Sequence, residues 1–60
     1  MSYANQIDRF ESFVDRARRI MVMGRESQQF AFDVLVESGV EPDIAFFAVK
    51  GAVLLEKERQ

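Results

Sequence analysis

The sixty-residue chain has no cysteine and no histidine, one proline, and three glycines that stand apart from one another. Each scarcity removes a class of chemistry. Without cysteine there is no disulfide and no thiolate metal site. Without histidine, the commonest zinc ligand and the commonest general base are gone. Glycines isolated at positions 24, 39 and 51 do not make a phosphate-binding loop. No apolar run approaches the ~20 residues that a bilayer-spanning helix requires. The opening "MSYANQIDRF" lacks a basic segment followed by an apolar one, so no secretion signal is expected there. The expectation is a cytoplasmic protein that is not an enzyme, with no catalytic residues, cofactor or metal.

What is present is grease. Hydrophobic residues make up 48% of the chain, and six of them are phenylalanine. That is too apolar for a disordered tail. The net charge of −2 argues against a general polyanion binder. A chain this short buries only ~60% of the surface its unfolded form exposes, so its own core is marginal. Small domains add disulfides, metals or partner chains. Here oligomerisation is the reinforcement left, and a homodimer is expected.

The pattern reads as one all-α domain over residues 1–60, with helices at about 5–22, 26–38 and 42–57 and a frayed polar tail at 58–60. In the first helix Ile7, Phe10, Val14, Ala17 and Met21 follow a three-four spacing, which Tyr3 extends and Phe13 and Ile20 widen. Ser2 or Asn5 is the candidate cap. Asp15 and Arg19 form an acid-first i, i+4 pair. Gly24 is expected to close this helix, and Glu26 or Ser27 to open the next.

Residues 30–36, "FAFDVLV", also alternate as a strand would, but the polar flank "ESQQ" and the lack of a pairing strand favour helix. "SGVEPD" marks a boundary. Gly39 suits a left-handed C′ position, Val40 supplies the apolar contact after it, and Pro42 suits a first helical turn.

The stretch "FFAVKGAVLL", residues 46–55, carries more apolar surface than one stripe. At 100° per residue, Ile44, Ala48, Gly51, Ala52 and Leu55 fall together, bordered by Phe47 and Leu54 on one side and by Ala45 and Val49 on the other. This is the expected core face, with a small-residue seam at Ala48, Gly51 and Ala52. Phe46 and Val53 are left outside it, beside Lys50 and Lys57. With Phe32 and Val36 they are apolar surface that a three-helix core has trouble covering. The expected protein interface is therefore Phe32, Val36, Phe46, Val49, Lys50 and Val53. Arg16, Arg18, Arg19 and Arg25 form its charged rim or, alternatively, a nucleic-acid site.

Four readings compete for function. Carboxylate pairs such as Glu11 with Asp15, or Asp33 with Glu37, have ligand-like spacing but read as solvated helix faces. "VLVESGVEPDIAFFAV" has the outline of a helix-turn-helix, yet its second helix offers only Asp43 and Lys50 to base edges. A ribbon-helix-helix dimer, with "RARRIMVM" as its strand, is the nucleic-acid alternative. "IMVMG" resembles the Met-Gly turn of ubiquitin-associated three-helix modules, but Arg25 stands where that family has an aromatic residue and the first helix is too long. The reading favoured is a self-associating protein-interaction module that regulates or inhibits a larger protein, with the nucleic-acid regulator as alternative.

Overall fold

Helix α1 spans Tyr3–Val22, twenty residues uninterrupted by glycine or proline. The computed structural model describes residues 3–59, with side-chain surroundings for residues 7–58. The helix begins two residues earlier than its pattern suggests. Asn5 therefore lies inside it rather than capping it, and Ser2 lies outside the described residues.

The Arg19 carbonyl closes α1 by accepting from the backbone N–H of both Met23 (2.9 Å) and Gly24 (3.2 Å). The left-handed backbone that follows belongs to Arg25, at φ 54°, and not to Gly24. Gly24 is needed for a different reason. A Cβ there would lie 2.6 Å from the Ile20 carbonyl oxygen.

Helix α2, Gln28–Glu37, is capped by Ser27, whose Oγ accepts from the Phe30 N–H at 3.1 Å. The segment that alternates like a strand is thus helical. Among the described residues there is no strand. The helix ends in a full Schellman motif: the Val40 N–H donates to the Leu35 carbonyl and the Gly39 N–H to that of Val36. Gly39 takes φ 105°, and Val40 turns into the core as the accompanying apolar contact.

Helix α3, Pro42–Arg59, starts where proline fits the first turn, with the Ala45 N–H donating to the Glu41 carbonyl at 2.8 Å. It runs two residues past the expected end, so the tail expected at 58–60 is helical through Arg59. Gln60 lies outside the described residues.

Arg18 of α1 reaches Glu56 of α3 at 2.7 Å, Val14 lies against Gly51, and Phe10 lines a groove with Ile44. The order of these contacts shows that α1 and α3 run in the same direction, side by side, with α2 returning between their ends. The Cα trace measures 35 × 26 × 16 Å.

The core is built mostly from small residues. Its buried residues are Val14, Ala17, Ala31, Leu35, Val40, Ala45, Ala48, Val49 and Ala52. Five are alanines, and Leu35 is the largest side chain that is fully enclosed. Phe13, Ile20, Met21, Phe32 and Val36 pack around this set while half-buried. Alanine contributes little apolar area, so the transfer energy of this core rests on a few larger residues at about 1.5–3 kcal/mol each.

Candidate interaction surface

None of the six phenylalanines is buried. Phe13 and Phe32 are half-buried, and Phe10, Phe30, Phe46 and Phe47 are exposed. Phenylalanine is the chain's largest apolar side chain and carries 150–250 Å² of buriable surface. Alanines inside and phenylalanines outside reverse the usual arrangement.

The reason lies in the rotation of α3 about its axis. Ala45, Ala48, Val49 and Ala52 face the core, a turn of roughly 60° from the face expected at 100° per residue. The small residues are what let α3 lie close to α1 and α2. Ile44, Phe47, Leu54 and Leu55, expected in the core, are consequently exposed, with Phe47 at 60% and Leu54 at 61%. On α1 the expected core residues Ile7 and Phe10 are exposed as well. Phe10 links Ile44 on one side to Leu54 and Leu55 on the other, making an apolar face along α1 and α3. A groove of about 520 Å³ runs along it between the helices, with Phe10, Val14, Gly51, Leu54 and Leu55 in its walls.

The groove carries charge of both signs, with Arg18 the one basic residue in its walls. Glu11 and Asp15 line the groove from α1. Glu58 lines the groove at its far end and is exposed.

The six residues expected as the interface are divided by the fold. Phe46 is exposed at 49%, its ring edge-to-face with Phe47 at 5.5 Å between centroids. The Lys50 Nζ stands 5.4 Å from the centre of the Phe46 ring. Phe32, Phe46, Val49 and Lys50 share a second, smaller groove of about 200 Å³ with Gln28 and Gln29. Val49, however, is 5% exposed and belongs to the core, because it turns inward with the alanines. Val36 and Val53 are half-buried and lie outside this groove.

The four arginines do not make one patch. Arg18 is held by Glu56 and Arg19 by Asp15 at 3.1 Å, the i, i+4 pair read from the sequence. Arg16 donates to the Ser38 hydroxyl at 3.4 Å, and Arg25 sits in the α1–α2 connection. A ribbon-helix-helix arrangement would need residues 16–23 as a strand, and they are helical through Val22.

Among the described residues no group of three acidic side chains is placed to hold a metal ion. No helix there is long and apolar enough to cross a membrane.

The sequence offered one signal for the larger face. Ala45, Ala48 and Ala52 recur at intervals of three and four, and small residues mark the side where helices approach most closely. Compared with known proteins, the chain matches no family, no curated protein and no solved structure.

Proposed function

We propose that this chain is a small, non-enzymatic, cytoplasmic protein-interaction module that works as a homodimer and regulates a larger protein by binding it. The observation that carries the reading is the location of the phenylalanines: none is buried, and Phe10 joins Ile44, Leu54 and Leu55 on one apolar face. Contiguous apolar surface on that scale marks an interaction site. Covering it is favourable by about 25 cal/mol for each Å² removed from water. Self-association takes the α1–α3 face. The separate groove at Phe32, Phe46 and Lys50 stays open and serves the larger partner.

Sedimentation equilibrium of the pure protein tests the reading. The expected mass is twice the 6.9 kDa of one chain. A single-chain mass maintained to high micromolar concentration overturns it.

A further inference from the structure

We propose that the groove between Phe32 and Phe46 takes an extended acidic segment of the larger protein, with one apolar side chain between the two rings and a flanking carboxylate on the Lys50 ammonium. The proposal rests on the interaction-module reading above and adds to it the chemistry of the partner.

Size limits what can enter. The groove holds about 200 Å³. Sites for drug-sized ligands hold roughly 300–1,000 Å³, so this one suits a single side chain and not a whole helix. Its walls are tied to the fold. Val49 belongs to the core, and Phe32 packs against that core. The Phe46 ring has Phe47 edge to face against it. Apolar walls that stand in place beforehand lower the ordering cost of binding.

Charge selects an acidic partner. Lys50 is the one charged residue in these walls. Its Nζ stands 5.4 Å from the centre of the Phe46 ring, which sets the ammonium beside an apolar wall. Among the described residues no carboxylate oxygen lies within 4.0 Å of it. The first acid of α2, Asp33, accepts from Gln29 Nε2 at 3.0 Å and stands outside the groove walls.

The rest of the molecule has the opposite preference. In the α1–α3 groove Glu11, Asp15 and Glu58 outnumber Arg18, and Arg18 is already paired with Glu56. The chain as a whole carries −2. General attraction to this protein, or to its larger groove, therefore favours a basic peptide. A preference for acid reports Lys50.

The test is an NMR titration of the isotope-labelled protein at low salt with three capped tripeptides: acetyl-Asp-Leu-Asp-amide, its neutral Asn-Leu-Asn isostere and a basic Lys-Leu-Lys counterpart. The acidic peptide is expected to shift the backbone amides of Phe32, Phe46 and Lys50. It is expected to bind about fivefold more tightly than the neutral one, the upper range for an exposed ion pair. Lys50→Gln is expected to remove that difference, with helicity unchanged by circular dichroism. The neutral peptide's affinity should stay the same in this variant, which a displaced Phe46 ring would not allow.

The outcomes separate. Acidic and neutral peptides that bind equally, or a basic peptide that binds best, overturn the acidic partner while the groove stands as a binding site. Shifts confined to other residues, or none at all, remove the groove as the partner's site and the proposal with it. Sedimentation of the same samples reads self-association independently. A single-chain mass in a protein that still prefers the acidic peptide overturns the dimer alone.

Discussion

Val14 meets Gly51 across the α1–α3 contact with room to spare: a Cβ built on Gly51 would lie 3.5 Å from Val14 Cγ2, an ordinary van der Waals distance. The glycine is not enforced by a closer approach of the two helices. Replacing it should therefore recover helix propensity without a clash. Gly51→Ala is expected to stabilise the domain by about 0.5–1 kcal/mol, measured as a higher urea midpoint at unchanged slope. A lower midpoint would show that the helices sit closer than this contact implies.

Gly39 presents the opposite case. Nothing lies within 4 Å of a Cβ placed there, but the backbone stands at φ 105°. The penalty for any side chain is backbone strain alone. Gly39→Ala is expected to cost about 1–2 kcal/mol, seen as a lower urea midpoint. An unchanged midpoint would mean that the turn relaxes into another conformation.

These two glycines also show what the sequence could and could not reveal. The end of α2 was legible because its chemistry is local. Ser27 caps, Gly39 turns left-handed, Val40 follows with its apolar contact and Pro42 restarts the helix, all within a few residues of one another. The face that α3 buries was not legible. Ile44, Phe47, Leu54 and Leu55 look like core by size, and a period of 3.6 residues places them on one side. Which side turns inward is settled by how closely the neighbouring helices approach. That depends on alanines whose own hydrophobicity carries little weight in a periodicity plot. Ala45, Ala48 and Ala52 won the interior, and the larger side chains were left outside. Phe46 is exposed as expected, but it lines the groove of about 200 Å³ with Phe32 and not the one between α1 and α3.

The Arg18–Glu56 pair ties α1 to α3 at the end away from Gly39, with both side chains less than a third exposed. It is more enclosed than Asp15–Arg19, whose members are over half exposed. Glu56→Gln is expected to cost about 1 kcal/mol and Asp15→Asn less than half of that, following the small contribution of exposed ion pairs. Double-mutant cycles with Arg18→Gln and Arg19→Gln, read by urea denaturation, separate the pairwise coupling from other effects of each change. Equal coupling in the two cycles would show that burial of the first pair adds nothing.

Phe46 and Phe47 are adjacent in sequence, touch edge to face, and are assigned to different surfaces. Phe47 belongs to the α1–α3 stripe, whereas Phe46 lies beyond Lys50 in the groove with Phe32. Both are largely outside the monomer's core, so a charge at either position should leave the helices intact. Their effects on assembly should differ. Phe47→Glu places a carboxylate on the face proposed for self-association and is expected to raise the dimer Kd by about a hundredfold, as loss of a central aromatic anchor does. Phe46→Glu is expected to change it by less than about threefold, in the range of a rim position. Sedimentation equilibrium of both variants gives the answer. Dissociation by Phe46→Glu with no effect of Phe47→Glu would move self-association to the Phe32–Phe46 groove and leave the α1–α3 face for the larger partner.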